Sequence, residues 1–359
     1  MVKSFPYRLL LPNGPFFSCV YFKYIYDVLR PLTLLFVFCL GLIIKAQDIH
    51  WSQFNDNPLF LNPAKTGEFQ GSTRFIGNFK DQWRSVSLPF QTFNATIDGK
   101  LKRINYGIIL FHDQAGDGKL KTIEAQLTLS KAFKLTQDSI HILSGGVNVG
   151  INHRQVNTDA FYFDVQYNGY IFNPLLPTNE PFQTDRKTNL TLGTGAQYTY
   201  HLSPRKYLKF GIGAFNLNQP NQGFYQDEIK RDVRWLTHAA GSYPINQQWD
   251  FLPSLQFSRQ GTYSEVIVGA SARYYLPGSD NTYIHKALLA GVFVRAKDAQ
   301  ILTLGCEYKD WFVGLSYDIN TSKLVPASKA RGGFEIAVRY ILYRFKPKRI
   351  EHRVCPDFI

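Results

Sequence analysis

The sequence predicts an all-β chain whose strands close into a membrane-spanning barrel of about fourteen antiparallel strands behind a cleaved export leader. Three observations carry that prediction. First, strand-type segments of about ten residues recur from Ser72 to Leu342, and no stretch sustains a helical period. In the last of them, Gly332 to Leu342, the side chains of Phe334, Ile336, Val338, Tyr340 and Leu342 point one way, while Gly333, Glu335, Ala337 and Arg339 point the other. Second, the chain is 15% aromatic, yet its mean hydropathy is only −0.19. Third, the links between segments are short at one end and long and proline-bearing at the other. Alternation alone fits an apolar core with a wet exterior as well as a lipid-facing exterior with a polar interior. Composition alone fits a soluble sandwich or propeller as well as a barrel. The even number of strands, their length and the asymmetry of the links select the barrel, and no blade-length repeat supports a propeller.

The elements follow in order. Leu32 to Ile44 is an apolar run after Arg30 and before Lys45-Ala46-Gln47, which reads as a signal-peptide core with cleavage after Ala46. It is shorter than the roughly 20 residues of a membrane span. Ile44 stands where a small residue is usual, and Cys39 lacks the small neighbours of a lipidated cysteine. Residues 1–46 are therefore a leader, and the remainder is exported.

Residues 47–71 form a lead-in segment. Asn57-Pro58, Asn62-Pro63 and Gly67 prevent a long helix or a central strand there. A connector to the first strand is the simpler reading; a segment tucked into a barrel mouth or lumen is the alternative.

The barrel is expected over 72–343. Its strand signals are Thr73 to Phe79, Phe90 to Ile97, Ile104 to His112, Thr122 to Ser130, Ser139 to Ile151, Asn189 to Tyr200 and Lys206 to Leu217. Arg234 to Tyr243, Gln248 to Ser258, Tyr263 to Tyr275, Lys286 to Arg295, Ala299 to Lys309, Trp311 to Ile319 and Gly332 to Leu342 complete the set. Thr122 to Ser130 is the clearest, with Ile123, Ala125, Leu127 and Leu129 alternating against Thr122, Glu124, Gln126 and Thr128. Lys309-Asp310 predicts a tight turn at one rim, and 152–188 and 218–232 predict long loops at the other.

The formal charge is +13, of which the leader supplies a net +4 and the rest of the chain +9. Basic residues are spread singly, apart from Arg344, Lys346, Lys348, Arg349 and Arg353 in a tail over 344–359. No nucleic-acid motif accompanies them, so that tail reads as a solvated, headgroup-facing or partner-facing end. Outside the leader only Cys306 and Cys355 remain; they form no close-spaced metal or redox motif, and whether they pair is not legible.

Chemistry-bearing motifs are sparse. His112 to Lys119 places Asp113 and Asp117 beside glycines but lacks the further ligands of a calcium loop, so it reads as a turn between the third and fourth strands. The histidines are dispersed without metal-ligand spacing, and no G-x-S-x-G elbow occurs. Gly145, Gly146, Gly193, Gly195, Gly211 and Gly213 fall inside strands and read as sites of curvature or close approach. No catalytic, cofactor-binding or metal residues are assigned, no cofactor is expected, and binding residues stay unassigned.

Several separated strings resemble the PorP/SprF family of the type IX secretion and gliding apparatus of Bacteroidota. They are Ser52-Gln53-Phe54, Pro58-Leu59, Leu61-Asn62-Pro63-Ala64 and Gly67; Gln82-Trp83-Arg84-Ser85 with Phe90 to Phe93; and Ala115-Gly116-Asp117-Gly118. Glu307-Tyr308-Lys309, Val313 to Ser322, Lys323-Leu324 with Pro326-Ala327, Arg331 to Glu335, and Cys355-Pro356 with Phe358 continue the series. The resemblance implies a non-enzymatic protein of the bacterial outer membrane, acting as receptor, anchor or accessory factor for a secreted surface protein such as a gliding adhesin. Its implied partners are a type IX cargo protein with its C-terminal sorting domain, periplasmic or outer-membrane components of the machinery, and outer-membrane lipid. The competing class is an outer-membrane channel or hydrophobic-solute transporter, with Glu124, Gln126, Glu335 and Arg339 lining the lumen. A secreted soluble β-sheet enzyme or lectin ranks third.

Overall fold

The computed structural model describes residues 48–344, apart from 85–87, 117–118, 159–160, 181, 183, 226–227, 278, 280–285 and 323–324. The leader, Asp117-Gly118, the tail from Phe345 and the question of a Cys306–Cys355 bridge lie outside the described residues.

Fourteen strands form one closed antiparallel barrel. They are β1 (Thr73–Gln82), β2 (Phe90–Lys100), β3 (Asn105–Ala115), β4 (Leu120–Lys134), β5 (His141–Gln155), β6 (Arg186–Ser203) and β7 (Lys206–Phe215), followed by β8 (Arg234–Pro244), β9 (Trp249–Gln260), β10 (Tyr263–Tyr275), β11 (Lys286–Arg295), β12 (Ala299–Tyr308), β13 (Trp311–Asn320) and β14 (Arg331–Leu342). Each strand signal in the sequence corresponds to one of them. Each strand pairs with its neighbours in sequence, and β1 closes on β14 with Thr73 opposite Leu342 and Phe79 opposite Ile336. Closure leaves no strand edge unpaired, which is what allows a sheet to sit in lipid.

The two faces of the wall are inverted relative to a soluble protein. On β4, Ile123 is 50% exposed and Leu127 46%, whereas Glu124 is 5% and Thr128 0%. An apolar outer surface around a polar interior is the arrangement of an outer-membrane barrel, and no described helix is long and apolar enough to cross a membrane.

The rims differ. At the terminal rim, where β1 begins and β14 ends, the links are 101–104, 135–140, 204–205, 245–248, 276–285 and 309–310. At the loop rim they include 156–185, 216–233 and 321–330. Lys309-Asp310 and the two long loops therefore sit at opposite ends, as their lengths suggest. The His112 to Lys119 stretch spans the β3–β4 turn, where Gly116 has φ +67° and Lys119 +44°.

Residues 48–71 are not a simple connector. They run down the inside of the barrel from the loop rim to the terminal rim as a turn (Phe54–Asp56), a one-turn helix (Pro58–Leu61) and a second turn (Pro63–Lys65). Their prolines sit at the first positions of the latter two, where a missing N–H costs nothing. Because these turns leave most backbone groups without internal partners, the segment needs a polar wall, and the inward strand faces supply one.

Candidate functional site

The plugged lumen is the site. At the loop rim, Asp48 anchors the plug: its backbone N–H donates to Gln260 Oε1 at 2.9 Å, and its carboxylate accepts from Arg231 Nε at 2.8 Å and Asn216 Nδ2 at 3.1 Å. Arg231 and Asn216 belong to the 216–233 loop, so that loop folds back over the mouth and holds the top of the plug. Burial would push the Asp48 carboxyl up, but Arg231 and Arg234 outweigh it and bring the pKa down to about 2.

One turn lower, Glu335 of β14 receives two plug amides, Ser52 N at 2.8 Å and Gln53 N at 3.2 Å, and its backbone carbonyl accepts from Gln53 Nε2 at 3.0 Å. Ser52 Oγ donates to Asp318 Oδ2 at 2.8 Å and accepts from Arg295 Nη2 at 2.7 Å. Arg295 also meets Asp318 at 3.0 Å and Glu265 at 3.4 Å, and Lys80 lies 3.9 Å from Glu335 while donating to His50 O at 2.7 Å. Burial, with Arg295 and Lys80 nearby, holds His50 well below its ordinary pKa and so neutral. Charges this deep persist only when paired and hydrogen-bonded, and here acid and base come from β1, β10, β11, β13 and β14 together.

Halfway down, the plug backbone lies directly on the wall. Gly146, Gly195 and Gly213 are register partners across β5, β6 and β7 and form one glycine row. A Cβ on Gly146 would fall against the Pro63–Ala64 backbone, one on Gly195 against Asn62 and 3.1 Å from Pro63 Cδ, and one on Gly213 3.5 Å from Leu61 O. The close-approach reading of these glycines holds, and what approaches is the plug. Asn62 fixes the level: its Oδ1 accepts from Ala64 N at 2.9 Å, and its Nδ2 donates to Ala196 O at 3.0 Å and Ile212 O at 3.2 Å. On the facing side, Asp56 meets Arg339 at 3.5 Å. Burial nevertheless raises the Asp56 pKa to about 6, Glu307 adding to the shift and Arg339 opposing it.

Near the terminal rim, Asp98 takes a bidentate pair from Arg74, at 2.9 and 2.7 Å, and also the Gly67 amide at 2.7 Å. Ser130 and Asn105 both donate to Thr66 O. Glu68 bridges Lys65 and Lys209; burial would raise its pKa, but these two lysines hold it below the usual carboxylate range.

Empty space is distributed unequally. The cavities beside the plug in the loop-rim half are about 20 Å³ each, room for one water. Of the two larger ones, that of about 290 Å³ runs along the plug from Ser52 and Gln53 to Glu68 and Phe69, and that of about 310 Å³ lies beside Thr66 to Gln70 at the terminal rim. The plug is thus closely packed where it meets Gln260, Arg231 and Arg234, and the wider cavities form a vestibule beside Glu68 and Phe69.

The predicted lumen residues Glu124, Gln126, Glu335 and Arg339 all face inward. The histidines do not converge: His238 is buried against Asn62, His141 pairs with the Tyr198 hydroxyl and His153 with the Thr188 hydroxyl. Among the described residues no cluster of His, Cys, Asp and Glu could hold a metal ion. The long-range partners of Ser52, Gln53 and Asn62 were not foreseen; the signal available was a charged residue at an inward strand position, such as Lys80 or Glu335.

A family model described as "Type IX secretion system membrane protein PorP/SprF" matches residues 43–340. No curated protein matches the chain. Among solved structures, the Ralstonia pickettii toluene transporter TbuX is 11% identical over 79% of this chain and 93% of its own, with a TM-score of 0.48. A Pseudomonas aeruginosa FadL homologue is 12% identical over 79% and 93%, with a TM-score of 0.46, and the monoaromatic hydrocarbon channel CymD 10% over 80% and 93%, with a TM-score of 0.46.

Proposed function

We propose, from the premise that the chain belongs to the PorP/SprF family of type IX secretion system membrane proteins, that this outer-membrane barrel works by binding rather than by turnover or conduction. It serves as receptor, anchor or accessory factor for a secreted surface protein, such as a gliding adhesin, that carries a type IX C-terminal sorting domain. The observation that supports this reading best is the plug. A lumen crossed by residues 48–71, which paired buried charges hold toward the loop rim, suits a scaffold whose outer surfaces do the work. The 156–185 loop offers such a surface, with Tyr162, Tyr170, Ile171 and Leu175 between 69% and 90% exposed. The terminal rim, with its short turns, faces the periplasm in this reading and is available to components of the machinery.

Affinity purification of the tagged protein from detergent-solubilised outer membranes, with mass spectrometry of what accompanies it, tests the proposal. Recovery of one large secreted protein bearing a type IX sorting domain is expected, and its loss when Tyr170 and Leu175 are replaced by Ser. Recovery of no secreted protein with the wild type contradicts it.

A further inference from the structure

On the outer wall of the terminal rim, four lysines stand beside outward-facing aromatic rings. Lys131 Nζ lies 5.0 Å from the Phe133 ring centroid, and Lys206 Nζ 5.2 Å from that of Tyr243. Lys286 and Lys309 approach Tyr308 at 5.9 and 5.3 Å. Interfacial aromatic girdles mark the height at which lipid tails give way to headgroups. An ammonium held within this distance of such a ring, its methylenes on the apolar wall, sits at phosphate height.

Three further features single out this rim. The lysines that form salt bridges among the described residues are Lys65, Lys80, Lys209 and Lys230, and none of the four stacked ones is among them. Lys102 and Arg103 extend the belt, against Asp138 and Asp310 as the described acids in the terminal-rim links. At the loop rim, among the described residues, no lysine stacks on an outward ring, and the exposed pairs there include Arg186 with Asp185 and Lys230 with Glu228.

We propose that this belt binds the phosphates of anionic glycerophospholipids in the leaflet that surrounds the terminal rim. The lysines are spread over β4, β7, β11 and the β12–β13 turn, so the contact encircles the barrel and is not a single pocket. It fixes the height of the barrel and orients the vestibule, independently of any cargo.

The test equilibrates the full-length protein with nanodiscs containing equal amounts of phosphatidylglycerol and phosphatidylcholine, then counts retained lipids by native mass spectrometry. Retention of phosphatidylglycerol over phosphatidylcholine by roughly fivefold or more is expected, falling toward parity in K131Q/K206Q/K286Q/K309Q and at high salt. Heat-modifiable migration on gels verifies that the variant is folded; should it fail, the K286Q/K309Q pair around Tyr308 is expected to lower the preference partially. Equal retention of the two lipids by the wild type, or an unchanged preference in folded variants, overturns the proposal.

Discussion

Glu335 concentrates the chemistry of the plug in one side chain. It accepts two amides from Ser52 and Gln53, faces Lys80, and is itself 1% exposed. Replacing it with alanine leaves the equally buried Lys80 without its acid and strips both amides of an acceptor, so Glu335→Ala is expected to lower stability by about 3–5 kcal/mol. Urea midpoints of the detergent-solubilised barrel measure this, and Lys230→Ala, at an exposed surface pair, is the control expected to change nothing measurable. Asp56 gives a pH signature. Its pKa is raised from 3.8 to about 6 on folding, so its folded form holds the extra proton. The stability from that proton is complete below about pH 4 and is lost as pH rises through 6. Two units correspond to about 3 kcal/mol at most, reduced because 22% of the side chain stays exposed. The wild type is expected to lose more stability than Asp56→Asn between pH 4 and pH 7; identical pH profiles contradict the buried setting. Alternation along β14 identifies the face on which Glu335 lies. It could not give the plug partners Ser52 and Gln53, which lie more than 280 residues away.

Among the elements, the strands were the most legible part, because a period of two over about ten residues leaves no helical reading. On β4 the same alternation identifies the lipid face, so Leu127→Arg, near the middle of the strand, is expected to cost about 2–4 kcal/mol in bilayer-folded protein, measured by urea titration in vesicles. Residues 48–71 were the least legible element. Their prolines and glycine describe any irregular segment, and nothing local distinguishes a connector from a plug. The information lies in the wall instead, where Gly146, Gly195 and Gly213 line up across three strands, a relation visible only once the register is known. This bed makes a paired prediction. Gly146→Val drives its side chain into the Pro63 backbone and is expected to cost about 1–3 kcal/mol or unseat the plug. Gly145→Val meets open space on the outer face and is expected to be tolerated. Limited proteolysis within 48–71 reads the difference, since an unseated plug becomes cleavable.

At the scale of the whole barrel, the wall closes at the β1–β14 seam and the segment that precedes β1 crosses the lumen. Ser52-Gln53, Asp318 and Glu335, each within one of the family strings and far apart in sequence, meet in one network that holds this segment. Family membership was legible from those strings. The contact surface for a cargo was not, because loop 156–185 carries aromatics without periodicity or a motif of defined chemistry. A binding scaffold requires a shut lumen, and a conductance measurement in planar bilayers tests that most directly. The wild type is expected to show no steady current, and G146V/E335A, which removes both the bed and the clamp of the plug, to open a persistent conducting state. A steady open conductance from the wild type would contradict a binding scaffold and make the barrel a channel.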